Sequence, residues 1–315
     1  MLNKEFAPIA LFVYNRPEHT RRTVETLKRN IGADRTDLYV FCDYAKNEKA
    51  YQAMCETREY VKSMSGFASV TIIERTENFG LSKSIITGVT EVVNRHGKVI
   101  VMEDDLITSE FFLEYMNLAL EKYESNKQVF SITGYSHFKN GTRGLPQSYF
   151  LKVFSSWGWA IWKDRWELFD SEAAGWEEIF ADRNVMRDFD YDGCLDNCEM
   201  LKNQMQDHII DSWAIRAYYC MYKNSGVTLF PNQRLCENIG NDGSGVHCGA
   251  DNGYEVTSLK NFRVTEFPEN ALELSQSKKS FIKNKHSQKR KYKIGRIKFY
   301  ITHPVTAIKK IISRI

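Results

Sequence analysis

Short apolar runs alternate with amphipathic stretches over the first hundred residues of the chain. The apolar runs have the length and composition of buried strands, and each leads through a polar turn into a helical pattern. The predicted strands are 7–14, 38–42, 69–74 and 98–102, and the predicted helices are 18–29, 48–63 and 81–94. This alternation predicts an α/β fold with a mostly parallel sheet flanked by helices.

Each predicted strand is followed by a turn that carries a polar side chain. Arg16, Asp43, Asn78 and Asp105 follow the four strands in order. Because ligands of open α/β sheets bind outside the carboxyl ends of the strands, the four loops are predicted to converge on one crevice.

The fourth strand stops at three consecutive carboxylates, Glu103, Asp104 and Asp105. Adjacent anions repel one another unless they share a cation, so the motif favours a divalent metal that carries a diphosphate. The alternative is a solvated acidic turn before a helix over 109–125, since acidic side chains are favoured near a helix N-terminus.

The first turn argues against the common dinucleotide-binding motif. Asn15-Arg16-Pro17 stands where a glycine fingerprint would be, and the chain has no Walker A sequence. A bound nucleotide would therefore be held by side chains and a metal. Arg16 suits a phosphate because its guanidinium can bind two oxygens, although a surface arginine in a turn is the alternative.

Beyond the triplet, the pattern predicts a helix over 109–123 and a strand over 128–133. Four of the six tryptophans follow within ten residues, and Trp157-Gly158-Trp159 opens this aromatic segment. Tryptophan stacks on sugars and bases, and glycine permits close backbone approach. We expect some of these rings to belong to the core and one or two to line an acceptor or donor-sugar pocket.

The region after residue 200 contains a second set of candidates. A predicted helix, Gln206–Lys223, places Asp207 and Asp211 on one face, although an acid at a helix start can be only a cap. A strand is predicted at 227–231. The glycine-rich loop 237–249 contains His247, which would be either a metal-binding imidazole on a loop that folds over a ligand or polar surface.

The net charge of +3 conceals a strong asymmetry. Residues 278–315 contain 13 of the 43 Lys and Arg and no acid, so residues 1–277 carry 30 basic and 40 acidic side chains. The tail has an apolar stripe within about 120° of a helical wheel, formed by Val305, Ile308, Ile311, Ile312 and Ile315. We expect a catalytic domain at 1–277 and, at 278–315, basic amphipathic helices on an anionic membrane surface. Nucleic-acid binding, disorder or packing on the domain or a second subunit are the alternatives.

The seven cysteines are odd in number and scattered, and no signal peptide precedes them. Reduced thiols in a cytoplasm are the simplest expectation. A zinc site from Cys194, Cys198, His247 and Cys248 is disfavoured by the poor spacing. No stretch reaches the roughly 20 apolar residues of a transmembrane helix.

Over roughly residues 7–250 the chain resembles the metal-dependent glycosyltransferases of GT-A fold, most closely those like N-acetylglucosaminyltransferase I. Residues 13–23 resemble that family's first strand and Asn-Arg turn, and 102–116 its Glu-Asp-Asp-Leu motif and following helix. Weaker matches are 158–159, 211–213 and 230–240. Ser212 departs from the family, which has a second Asp there.

The resemblance implies a nucleotide-binding half, an acceptor-binding half and a role for each matched residue. By this resemblance, Asp105 would bind Mn²⁺ or Mg²⁺, with His247 completing the shell as in many GT-A enzymes. The nucleotide sugar would be bound by Asp104 at the ribose, Glu103 at the sugar hydroxyls, Asp43 at the uracil and Arg16 at the phosphates, with Asn78 in the same site. Asp211 would be the catalytic base.

The predicted function is an inverting hexosyl- or N-acetylhexosaminyltransferase. It would use a UDP-sugar, with UDP-GlcNAc the first to test, and a glycan or lipid-linked oligosaccharide acceptor at the inner face of the cell membrane, with no nucleic acid as partner. A sugar nucleotidyltransferase and a non-catalytic nucleotide-sugar-binding protein are the alternatives.

Overall fold

The computed structural model describes residues 6–138, 140–240, 259 and 261–302. These residues form an eight-stranded sheet between two layers of helices and a small two-stranded sheet. The predicted α/β class, with a mostly parallel sheet flanked by helices, is confirmed.

The N-terminal half of the large sheet consists of four parallel strands in the order β3-β2-β1-β4. These strands are β1 (Ile9–Val13), β2 (Asp37–Cys42), β3 (Ser69–Glu74) and β4 (Lys98–Glu103), connected by helices α1 (Pro17–Lys28), α2 (Glu48–Lys62) and α3 (Gly80–His96). The strand order changes direction between β1 and β4. In open α/β sheets, ligands bind at such a switch point.

The rest of the described chain completes the sheet and adds a long C-terminal helix. Its elements are β5 (Leu106–Thr108), α4 (Phe112–Lys122), β6 (Val129–Thr133), β7 (Ser148–Leu151), β8 (Trp159–Trp162), α5 (Lys163–Trp166), α6 (Arg183–Phe189), α7 (Asn197–Met205), α8 (Trp213–Lys223), β9 (Val227–Pro231), β10 (Cys236–Asn238) and α9 (Ser275–Thr302). The order continues β4-β8-β6-β9-β7, and β8 is antiparallel to both of its neighbours. β10 pairs with β5 in the small sheet.

The two faces of the large sheet carry separate apolar cores. On one face, α1, α2 and α4 bury residues such as Val24, Val61 and Met116 against the strands. On the other, α3 and α5–α8 bury residues such as Val89 and Trp213. Strands covered on both faces explain the continuous apolar runs in the sequence.

Two predicted helices begin later than the sequence pattern indicates. The helix predicted from Ser109 begins at Phe112, because the chain leaves β5 at Thr108 through a turn in which the Ser109 amide donates to the Leu235 carbonyl. The helix predicted from Gln206 begins at Trp213, after Ser212 as its N-cap. His208 has a left-handed φ of 50°, which an α-helix does not contain. Asp207 and Asp211 therefore do not share a helical face.

The expected boundary at residue 278 falls inside α9, and the first turns of that helix pack on the body of the protein. Phe281 is fully buried and makes edge contacts with the rings of His137 and Tyr191. Lys278 and Lys289 each form an ion pair of 2.9 Å with an aspartate of the body. The isoleucine stripe at 305–315 lies outside the described residues. No helix in the described part of the chain has both the length and the apolar composition that crossing a bilayer requires.

Candidate active site

The acidic triplet and Arg16 meet at the switch point of the sheet. Arg16 follows β1, and Asp104 and Asp105 follow the neighbouring strand β4. Arg16 Nη1 donates to Asp105 Oδ2 at 3.0 Å and lies 4.0 Å from Asp104 Oδ1. Three residues that the sequence placed in the nucleotide-sugar or metal site thus form one cluster.

The small sheet brings a further segment against Asp105. Asn238, the last residue of β10, donates from Nδ2 to Asp105 Oδ1 at 3.1 Å, and the amide of Ile239 donates to the Asp105 carbonyl at 2.8 Å. A Cβ at Gly240 would overlap Asp105 Oδ2 and lie 2.9 Å from Arg16 Nη1. Each carboxylate oxygen of Asp105 therefore has a donor, and a side chain at position 240 would force Asp105 and Arg16 to shift.

Burial gives this cluster an unusual electrostatic state. Burial, followed by repulsion from its acidic neighbours, raises the pKa of Glu103 well above its usual range. The same causes raise the pKa of Asp104 to about 7. Burial also raises the pKa of Asp105, although Arg16 and then His19 act in the opposite direction. Raised pKa values favour the protonated, neutral forms of these carboxyl groups, and a cation bound beside them would stabilise the charged forms.

Asp105 fits the role of a metal ligand as a single carboxylate. Among residues 6–138, 140–240, 259 and 261–302, no three His, Cys, Asp or Glu side chains converge as a ready-made metal site. Oxygen ligands suit Mg²⁺ and Mn²⁺, and Mg²⁺ is commonly held by one or two carboxylates together with phosphates of the substrate. His247, the other predicted ligand, lies outside the described residues.

Asp43 holds together the loops that follow β2 and β3. Its carboxylate accepts hydrogen bonds from the amides of Tyr44 (2.9 Å), Phe79 (2.8 Å) and Gly80 (3.0 Å) and from Asn78 Nδ2 (3.1 Å). A carboxylate has about four lone-pair sites, so these four bonds use its capacity. Asp43 thereby orders the start of α3, and a contact from Asp43 to uracil would require one of these bonds to exchange.

Asp211 lies in a second group of residues at the same edge of the sheet. Its side chain is 70% exposed, and its Oδ1 accepts a 2.9 Å bond from Arg216 Nη2. The same Nη2 donates to Ser82 Oγ, in the first turn of α3, at 2.5 Å. Asp211 therefore stands beside the α3 loop, in a group separate from the Arg16 cluster.

The aromatic segment divides between core and surface. Trp159 is 1% exposed and stacks on Trp213 at 5.1 Å between ring centroids, so it belongs to the core and not to the predicted sugar pocket. Gly158 has a φ of 54°, and a Cβ there would lie 2.9 Å from the Cys236 sulfur. Trp157 is half-buried and packs edge-on against Tyr135 at 4.7 Å. Of these three predicted pocket residues, Trp157 is the one that is not fully buried.

Three residues of the cluster were not identified from the sequence. His19 follows Arg16 by one turn of α1, and this i, i+3 spacing was the available signal. Asn238 and Gly240 lay at the start of the segment interpreted as a flexible glycine-rich loop. Their position depends on the pairing of β10 with β5, two strands of three residues each.

No protein-family model matches the chain, and no curated protein matches it by sequence. Solved structures of S. aureus TarS match part of the fold. TarS 1-349 aligns over 51% of this chain and 48% of that chain, with 11% identity and a TM-score of 0.33. A second TarS structure aligns over 47% and 24%, with 14% identity and a TM-score of 0.31. TarS 1-349 in complex with UDP-GlcNAc aligns over 44% and 37%, with 11% identity and a TM-score of 0.28. The aligned part is thus less than half of each TarS chain.

Proposed function

We propose that this chain is a metal-dependent, inverting glycosyltransferase that moves a sugar from a UDP-sugar to a hydroxyl of a glycan or lipid-linked oligosaccharide. The observation that carries the proposal is the buried cluster of Arg16 and three carboxylates at the switch point of the sheet. A cation bound there would stabilise the charged forms of the carboxylates, and an arginine able to bind phosphate lies beside them.

Each residue of the cluster would contact a different part of the nucleotide-sugar donor. Asp105 would hold Mn²⁺ or Mg²⁺, and the bound ion would stabilise the negative charge that develops on the leaving diphosphate. Arg16 would bind the phosphate oxygens, Asp104 the ribose and Glu103 the sugar hydroxyls. Asp43 and Asn78 would keep the loop before α3 in place around the base.

Asp211 would remove the proton from the acceptor hydroxyl. Its carboxylate is exposed at the same edge of the sheet, and one of its oxygens accepts a bond from Arg216, which leaves the other oxygen for a substrate proton. A single base on the side of the anomeric carbon opposite the leaving group implies inversion of configuration. Trp157, which is half-buried, would contact the acceptor or the donor sugar.

A thermal-shift panel of nucleotide sugars with and without Mn²⁺ tests this proposal, beginning with UDP-GlcNAc. A ligand at 100 times its dissociation constant stabilises the folded protein by about 2.7 kcal/mol. Because the proposed donor site requires the metal, the matching donor raises the melting temperature only when Mn²⁺ is present. Asp105→Asn loses this shift, whereas Asp207→Asn, an exposed acid outside the cluster, retains it. No shift with any uridine nucleotide contradicts the proposal, and release of pyrophosphate instead of UDP identifies a nucleotidyltransferase.

A further inference from the structure

Arg16 and a metal ion compete for the same carboxylate. Asp105 Oδ2 accepts from Arg16 and Oδ1 accepts from Asn238. Each oxygen keeps a further lone pair for an ion, but an ion on Oδ2 would lie against the Arg16 guanidinium, and an ion on Oδ1 would lie against the Asn238 amide. A divalent ion beside Arg16 would also place two cationic groups a few ångströms apart, which disfavours binding of the metal by itself.

Of the two donors, Arg16 is the one that can leave. Asn238 lies in β10, which pairs with β5, and its Oδ1 accepts from the Gly240 amide at 2.8 Å. The backbone of Arg16 is fixed at the start of α1, where its carbonyl accepts from Thr20. Its side chain, however, reaches Asp105 through a long flexible stem.

We infer that Arg16 exchanges between two anions: it pairs with Asp105 in the free protein and moves to the donor diphosphate when the nucleotide sugar binds, which releases Asp105 to the metal. This inference rests on the proposed function and adds that Asp105 becomes free for the metal only when the nucleotide sugar binds. A diphosphate accepts both arms of a guanidinium, so Arg16 gains a stronger partner than the one it leaves. Metal and nucleotide then bind cooperatively, and by linkage each tightens the other by the same factor.

The test measures Mn²⁺ binding directly, from the electron paramagnetic resonance signal of the free ion, with and without saturating UDP. Wild type binds Mn²⁺ alone weakly, and UDP tightens this binding at least about tenfold. Arg16→Gln binds Mn²⁺ alone about tenfold more tightly than wild type and gains little from UDP. Arg21→Gln, on the same helix with a side chain 55% exposed, behaves as wild type.

The outcomes separate this inference from the proposed function. Equal binding of Mn²⁺ alone by wild type and Arg16→Gln overturns the exchange, while UDP-dependent Mn²⁺ binding in wild type still supports the donor site. Failure of wild type to bind Mn²⁺ and UDP under any condition overturns the proposed function. Asp105→Asn locates the ion, because it loses Mn²⁺ binding in both assays.

A second variant covers the case in which Arg16→Gln does not fold, which circular dichroism would show. Arg16→Lys keeps the positive charge beside Asp105 but cannot bind a diphosphate with two parallel hydrogen bonds. Its affinity for Mn²⁺ alone stays close to that of wild type, and the tightening by UDP falls at least about threefold. Full wild-type tightening by UDP in Arg16→Lys overturns the exchange.

Discussion

Two carboxylates of the site, Asp105 and Asp211, differ mainly in their exposure to water. Asp105 is close to other anions and largely buried, and burial raises its pKa. Asp211 is 70% exposed and bonded to Arg216. A buried anion in an acidic cluster suits a cation, whereas an exposed carboxylate with an oriented oxygen suits proton transfer to solvent or substrate.

Asp211→Asn therefore separates binding from chemistry. The amide keeps the size of the side chain and an oxygen for Arg216 but cannot take the acceptor proton. We expect unchanged affinity for the donor and a loss of turnover of about 10² to 10⁴. Isothermal titration with UDP-GlcNAc and initial rates of UDP release measure the two quantities. An equal loss of affinity and rate would instead assign Asp211 to the donor site.

The location of a single residue could be predicted from the sequence where the residue follows the end of a strand. Arg16, Asp43 and Asp105 follow buried strands directly, so the fold alone brings Arg16 and Asp105 together. Trp159 could not be assigned in the same way. Stacking on a sugar and stacking on another core ring require the same side chain, and the partner, Trp213, lies 54 positions later in the chain.

At the scale of elements, the docking of α9 depends on a buried aromatic cluster. Phe281 contacts the ring of His137 at 4.6 Å between centroids, and His137 also faces Phe230 at 5.7 Å. Burial, with contributions from Lys285 and Arg234, holds the pKa of His137 well below its usual range. His137 therefore stays neutral when α9 is docked.

The stability of this contact is expected to fall in acid. The unfolded chain protonates His137 near pH 6.5, while the folded protein does not. Below that pH the unfolded state binds more protons than the folded state. The free energy of unfolding therefore falls by roughly 1.4 kcal/mol per pH unit until the pKa of His137 in the folded protein is reached. Denaturant midpoints at pH 7.5 and 5.5 should differ more for wild type than for His137→Leu. His286→Gln, an exposed histidine on α9, should follow wild type; parallel changes in all three proteins would contradict the prediction.

The positions of strands were predictable where a run of apolar and β-branched residues is bounded by polar turns. β3 and β9 have the bounds that the pattern predicts, and β1, β2 and β4 lie within one or two residues of them. The predicted start of α8 was wrong, because Ser212 caps the helix and His208 before it has a left-handed φ. The strands β5 and β10 were missed, because three residues are too few to show an alternation.

At the scale of the whole molecule, the basic segment separates into a docked part and a part beyond it. We predict that a chain ending at Lys291 keeps the docked turns of α9, with Phe281 and the two lysine–aspartate pairs, and so melts at the wild-type temperature. The same truncation removes the apolar stripe and much of the basic charge, so it should no longer bind anionic vesicles. Sedimentation with vesicles of phosphatidylserine and phosphatidylcholine measures this.

Two controls define the outcome of the truncation. The full chain should bind anionic vesicles in a salt-dependent way and should not bind neutral ones. A chain ending at Leu274 would also remove Phe281 from its buried site and should lower the melting temperature. Vesicle binding that survives truncation at Lys291 would show that the removed segment is not the membrane contact, which would then lie on the body or on the docked turns of α9.

Because α9 is fixed to the body at Phe281 and continues as a helix to Thr302, it acts as a spacer of defined length. Its 21 residue steps at 1.5 Å each span about 32 Å. If the far end is held on a surface, as proposed, the helix keeps the body at a set distance from it, and the proposed active site would reach only acceptors within a limited distance of that surface. Removal of a helical turn beyond the docked part would shorten that distance by about 5 Å and rotate the body by a small angle. On the proposed function, the length of the helix, and not only its charge, would then decide which acceptors reach Asp211 and the Arg16 cluster.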